Sequence, residues 1–269
     1  MYRPLVSVII PVYNGEPYLS NAIDNILAQT YRPIEIVVVN DGSTDNSDAV
    51  ARRYKKDIVY AVQENRGPGA ARNKGLLLAS GNIVAFLDVD DLWSENKLSV
   101  QLADLTSDAS VEIVLGLTQV MRLRTSQEDK LNFEKWGDPI CVLSLAAGVF
   151  RRSVFDKVGF FDETLYYSED VDWFMRARET GVKITILQEV GLFYRLHASN
   201  MTLDAVQRDK YLVRAYKKSL DRRRGSGDGM IAPLAKVVYP ESVSRTLRAL
   251  KKRLEKASDA EANGIDTDR

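Results

Sequence analysis

"NIVAFLDVDDLW", residues 82 to 93, runs from Ile83 through Leu87 without a polar side chain and then delivers Asp88, Asp90 and Asp91 within four positions. A strand that apolar belongs between two covering layers, as in a parallel sheet. Its carboxylates then stand at the mouth of a core, where unanswered negative charge is costly.

The same pattern recurs upstream. "VSVIIPV" (6–12) is a continuous β-branched run. After the turn "YNGEP", Leu19, Ala22, Ile23, Ile26 and Leu27 follow helical spacing as far as Thr30. "IEIVVVN" (34–40) reads as a second strand, and "DGSTDNS" supplies turn and cap residues for a helix near 45–55. "DIVYAVQ" (57–63) is a shorter strand, and "PGAARNKGLLLAS" (68–80) a helix that stops at Gly81. This β-α-β-α-β-α-β order predicts an α/β fold, a doubly wound and mainly parallel sheet with right-handed crossovers. Such sheets take ligands at the carboxyl ends of their strands. Here those ends carry Tyr13 and Asn14, then Asn40 and Asp41, then Asp88 and Asp90.

The second half reads differently. "VEIVLGLTQVMRL" (111–123) and "ICVLSLAAGVF" (140–150) look like strands, separated by a polar stretch around Gln127 to Lys135. "SEDVDWFMRARET" (168–180) predicts a helix with Ser168 as N-cap and Gly181 just past its end. "KITIL" and "GLFYRLH" predict two further short strands, and the chain turns helical from about Leu203.

Composition sets outer bounds. The chain has 269 residues, 45% hydrophobic and 28% charged, which suits one large core with a smaller appendage. Lys+Arg and Asp+Glu balance at 37 each, so net charge points to no nucleic-acid partner. The single cysteine, Cys141, rules out an internal disulfide and argues against a zinc cluster. No run approaches the ~18 apolar residues of a spanning helix, and the N-terminus lacks the ordered regions of a signal peptide. A cytoplasmic protein is the expectation.

Asp88 and Asp90, two apart on a strand, should point the same way. Oxygen ligands without sulfur suit Mg²⁺ or Mn²⁺. Capping of the next turn explains one aspartate and leaves the others unexplained. Asp41 fits an Asx turn, or a hydrogen-bond acceptor for a base or ribose. Arg72 fits a surface salt bridge, or a contact to a nucleotide's base or phosphates. Glu169 and Asp170 fit a helix N-terminus by charge, and equally a general base near a hydroxyl. His197, the only histidine, is either incidental or the imidazole ligand of a metal.

Taken together, "VSVIIPVYNGEPYL", "VVVNDGSTDNS", "NRGPGAARNKGL", "FLDVDD", "SEDVDWFMRA" and "YRLHASN" resemble, in order and spacing, the family 2 glycosyltransferases. The resemblance covers about residues 5 to 200 and implies the GT-A fold, with a smaller acceptor-side sheet and C-terminal helices. It implies an inverting, metal-dependent enzyme that moves a sugar from a nucleotide donor, UDP by implication, to a hydroxyl of a glycan, lipid-linked or other cell-surface acceptor. By that resemblance Pro11, Val12, Tyr13 and Asn14 border the nucleotide, Asp41 binds uracil and Arg72 assists. Asp90 ligates Mn²⁺ or Mg²⁺, while Asp88 meets the ribose or a metal-bound water. Asp170 is the base, Glu169 shapes the acceptor site, His197 is a late metal ligand, and Arg195 lies near the diphosphate. One carboxylate base and one displacement imply inversion, without the carboxylate pair of glycoside hydrolases.

Two other readings compete. A catalytically silent nucleotide-sugar binder would keep the same motifs. A haloacid-dehalogenase-like phosphotransferase also carries a DxD behind an apolar strand, but near the chain start and followed by Thr or Val. Here Asp91 and Leu92 follow it. The catalytic domain is expected over 1–203 and a helical extension over 204–269. Within the latter, "SVSRTLRALKKRLEK" (242–256) lines up Val243, Leu247, Leu250 and Leu254 beside Arg245, Arg248, Lys251, Lys252 and Arg253. That stripe fits a solvated helix, a contact with a second copy, or a peripheral seat on the inner membrane face near a lipid-linked acceptor.

Overall fold

The computed structural model describes residues 3–123 and 132–226, with side chains as far as 224. The basic segment 242–256 lies outside the described residues.

The first half follows the expected alternation: β1 (Val6–Val12), α1 (Glu16–Leu27), β2 (Ile34–Asn40), α2 (Ser47–Arg53), β3 (Val59–Val62), α3 (Pro68–Leu78) and β4 (Ile83–Phe86). Next come β5 (Leu92–Trp93), α4 (Lys97–Ser107), β6 (Ile113–Leu123), β7 (Phe133–Lys135), β8 (Gly148–Arg151) and α5 (Ser153–Val158). The chain continues through α6 (Glu169–Glu179), β9 (Ile184–Leu196) and α7 (Ala205–Ser226).

All described strands share one sheet, ordered β3-β2-β1-β4-β8-β6-β9-β5, with β7 beside β6. The β3-β2-β1-β4 block is parallel. β8 is antiparallel to both β4 and β6, and so splices the second half onto the first. β9 runs parallel to β6, and β5 closes the edge antiparallel to β9. The strands of the second half therefore continue the main sheet through β8.

Alternating side chains explain why β1 carries no polar face. Val8 and Ile10 join one buried cluster with Leu19, Ile23 and Ile26 of α1. Ile9, pointing the other way, joins Phe86, Phe150, Phe155 and Trp173. α3 approaches β1 so closely that a Cβ at Gly75 would stand 2.3 Å from Ile9 Cγ2.

Two expected strands come out differently. Of residues 140–150, only Gly148 onward is strand; Leu145–Ala147 form a 3₁₀ turn and Ile140 makes an isolated bridge to Thr118. That run is apolar because it is buried, a property a 3₁₀ turn shares with a strand. The two short strands expected over 183–197 are a single strand, β9. The intervening Gln188 and Glu189 face solvent, and register shifts against β6 near Leu117 absorb the change.

α7 lies along α6. Ala215 is fully buried, and Leu212 and Tyr216 pack against Val171 and Met175. Arg222 Nη1 donates to Asp172 at 3.0 Å and its Nε to Glu179 at 2.6 Å.

Candidate active site

The carboxyl ends of β1, β2 and β4 lie side by side, with the polar residues expected there on the loops that follow them. Val12 is buried opposite Asn40, Pro11 is half-buried, and Tyr13 stands 49% exposed. Asn14 takes a left-handed backbone, φ 50°, which asparagine tolerates better than most residues. Its Oδ1 accepts the Thr44 amide at 2.8 Å while its own amide donates to Ser43 Oγ at 3.0 Å. The first two loops are thereby stitched together. Asp41 is buried and accepts from Gln63 Nε2, Arg66 N and Gly67 N at 2.8, 3.0 and 2.8 Å. Those bonds use three of roughly four acceptor positions on a carboxylate.

The DVDD stretch departs from simple alternation. β4 ends at Phe86, so Asp88 and Asp90 sit on a turn closed by the Asp91 amide donating to the Asp88 carbonyl at 3.0 Å. Their side chains diverge. Asp88 Oδ1 accepts from Arg72 Nη2 at 2.7 Å. Asp90 Oδ2 lies 3.0 Å from both His197 Nε2 and Asn200 Nδ2. The ladder pairing Leu92 with Phe193 and Trp93 with Leu192 brings this turn against the end of β9. Arg195 fastens it: its amide donates to Asp91 Oδ1 at 2.9 Å, its Nε to the Asp90 carbonyl, and its Nη1 to Asn21 at 2.7 Å. Arg195, 3% exposed, thus holds the aspartate turn from behind. Asp91 is buried, and desolvation pushes its carboxyl well above the ordinary range.

A divalent cation fits one part of this arrangement. Asp90 and His197 offer a carboxylate oxygen and an imidazole nitrogen close enough for one ion to touch both. His197 Nδ1 is 2.9 Å from Ser199 Oγ; with the proton on Nδ1, Nε2 keeps its lone pair for a metal. Among the described residues no three His, Cys, Asp or Glu side chains converge on a point, and Asp88 stands apart from the pair. Two protein ligands leave the remaining positions to water and substrate oxygens, as Mg²⁺ sites commonly do.

Glu169 and Asp170 open α6, where its N-terminus favours negative charge. Ser168 holds the cap position in a left-handed backbone (φ 61°), without a side-chain capping bond. Glu169 is buried and held by Arg72 Nη1. Arg72 is accordingly no surface salt bridge: 6% exposed, it spans Asp88 and Glu169. Burial alone would lower its pKa, but Asp88, Glu169 and Asp170 together raise it. Burial raises Glu169 to about 7 against the pull of Arg72. Asp170 is also raised, by burial first, with Arg72 opposing and Asp88 adding. Its Oδ1 accepts the Val171 amide at 2.8 Å, and among the described residues no hydrogen bond reaches its Oδ2.

Several site residues carried no sequence signal of their own. Asn200 binds Asp90, and its Oδ1 accepts the His197 amide at 2.6 Å. Tyr18 stacks on His197 with ring centroids 4.8 Å apart, and Arg195 lies over the Tyr18 ring. Asn200 sits inside "YRLHASN", where its distance in sequence from Asp90 hides the contact; Tyr18 reads only as a helix residue.

Comparison with known proteins agrees with this geometry. The family model described as "Glycosyl transferase family 2" matches residues 7–159. An uncharacterized glycosyltransferase of Rickettsia prowazekii is 34% identical over 219 residues, covering 77% of this chain and 68% of its own length. Among solved structures, TarS of S. aureus in complex with UDP-GlcNAc superposes with a TM-score of 0.60 at 24% identity, over 74% of this chain and 61% of that one. The mannosyltransferase PcManGT of Pyrobaculum calidifontis, in complex with GDP-Man and Mn²⁺, gives 0.64 at 23%, over 82% and 65%. At those identities the solved structures establish the fold, GT-A, and the chain spans less than two thirds of either. With the family model covering more than half its length, the chain belongs to the family 2 glycosyltransferases.

Proposed function

We propose that this glycosyltransferase moves a sugar, with inversion, from a nucleoside diphosphate donor to an acceptor hydroxyl on a glycan or lipid-linked chain, and that it uses Mn²⁺ or Mg²⁺. The observation that carries this reading is the Asp90–His197 pair, 3.0 Å apart, on the turn whose Asp88 shares Arg72 with Glu169, the neighbour of Asp170 at the start of α6. The UDP-GlcNAc bound to TarS and the GDP-Man and Mn²⁺ bound to PcManGT support the donor class and the metal.

Asp41 and Tyr13 receive the base, Asp88 the ribose, and Asp90 with His197 would hold the cation. A divalent ion at that position supplies positive charge beside a departing diphosphate. Asp170 takes the proton from the acceptor hydroxyl as its oxygen attacks the anomeric carbon. It suits that role better than Glu169, whose carboxylate is buried and held by Arg72. A carboxyl raised by burial is a stronger base than an exposed aspartate, which favours proton transfer near neutral pH. Arg72 bridges Asp88 and Glu169, and so fixes the donor and acceptor halves relative to each other.

The test is turnover of a panel of UDP- and GDP-sugars with Mn²⁺, read as released nucleotide with and without chelator. Asp170→Asn should lose transfer by about 10²-fold or more while binding UDP as the parent does. Full activity in that variant removes Asp170 as base. UDP binding without any sugar release turns the reading into that of a silent binder.

A further inference from the structure

Tyr166 belongs to none of the motifs, yet its ring reaches the donor end of the site. It lies on the backbone of Gly67, where an added Cβ would be 2.8 Å from Tyr166 Cδ2. Gly67 has φ 87°, and its amide is one of the three donors on Asp41. The Tyr166 hydroxyl donates to Asn65 Oδ1 at 3.4 Å and lies within electrostatic reach of both Asp41 and Tyr13. Ring, glycine and aspartate form one continuous wall. Tyr13 and Tyr166 are also among the exposed large side chains, at 49% and 36%.

The segment carrying Tyr166 is fixed at both ends. Glu163 binds Arg66 and accepts from Asn73 Nδ2 at 2.9 Å, and Asn73 also exchanges hydrogen bonds with the Phe161 backbone. On the other side Tyr166 meets Tyr167, and Tyr167 meets Tyr211 of α7, each with centroids 5.7 Å apart. An exposed aromatic ring held this firmly beside a hydrogen-bonding carboxylate is suited to a flat heterocycle that stacks and donates.

We propose that Tyr166 is a second aromatic contact for the donor nucleobase, acting with Tyr13 around Asp41. The inference rests on the donor reading above and adds a residue to it. Tyr166 also lies four residues before Asp170, so a base seated against it bears on the segment that leads into the proposed catalytic carboxylate.

Calorimetry on the full chain with Mn²⁺ tests this, using UDP as one probe and inorganic pyrophosphate as a base-free control. Tyr166→Ala should weaken UDP about tenfold, within the range of a lost base–aromatic stack, and leave pyrophosphate unchanged. Tyr166→Phe, which keeps the ring, should restore most of the UDP affinity. Unchanged UDP affinity in Tyr166→Ala overturns the proposal, including the case where only the acceptor KM rises. A parallel loss of UDP and pyrophosphate overturns it too, because it marks a structural role. A parent chain that binds neither UDP nor GDP overturns the donor reading together with this one.

Discussion

Arg72 shows how one buried side chain organises two functions. A guanidinium spans two carboxylates in a fixed fork, and this one joins Asp88 to Glu169, which neighbours Asp170, the proposed base. Removing it would leave Glu169 buried without its partner, a loss of about 3–5 kcal/mol when such pairs are broken. Arg72→Met should therefore melt well below the parent in a thermal scan and lose transfer activity. Glu169 itself makes stability depend on pH. Its folded pKa is raised to about 7, so the folded chain holds that proton more tightly than the unfolded one. Its stabilising contribution is complete below the ordinary carboxylate range and is lost as pH rises toward about 7. Denaturant titrations of Glu169→Gln at several pH values should show a flatter profile than the parent over that window. The Asp170 sign is the reverse for activity: protonation disables the base, so kcat falls as pH drops through its raised pKa. Stopped turnover assays at a series of pH values from the ordinary carboxylate range upward measure that limb.

At the scale of elements, the tightest contact at any described glycine is α3 on β1 at Gly75. Two effects oppose each other in Gly75→Ala. Helix propensity favours alanine by about 1 kcal/mol. A methyl 2.3 Å from Ile9 Cγ2 forces a buried strand or helix to shift, and overpacking of this kind costs about 1–3 kcal/mol. The clash wins, since Ile9 is itself fully buried on a strand flanked by β2 and β4. The variant should melt a few degrees lower, at about 2–4 °C per kcal/mol for a chain of this size. The parallel strands were legible in sequence because burial on both faces leaves continuous apolar runs, as in β1 and β2. The 3₁₀ turn at Leu145–Ala147 was not, because it is just as buried and apolar. Nor was the continuity of β9, whose exposed Gln188 and Glu189 mimic a break. In the site, Asp41, Asp88 and Asp90 announced themselves by chemistry at strand ends. Asn200, Tyr18 and Tyr166 did not, because their relevance comes from contacts that only the folded sheet creates.

For the molecule as a whole, the metal pair is the sharpest expectation. His197→Ala should lower Mn²⁺-dependent UDP affinity, and chelation should remove the parent's advantage over the variant; calorimetry with and without EDTA separates the two. Among the described residues no helix is long and apolar enough to cross a membrane. The loops carrying Asp41, Asp88 and Asp90 come from the first hundred residues, whereas Arg195 arrives on β9 and His197 just after it, beyond the antiparallel splice at β8. That splice has a consequence for how the chain matures. Asp90 and His197 are 107 positions apart, and contacts of such long range form late, after the entropy of closing the intervening loop has been overcome. A nascent chain halted before β9 can assemble the parallel block yet lacks half of the cation pair. Manganese affinity should therefore appear in a refolding trace after the secondary structure does, which makes the ion a reporter on placement of the last strand.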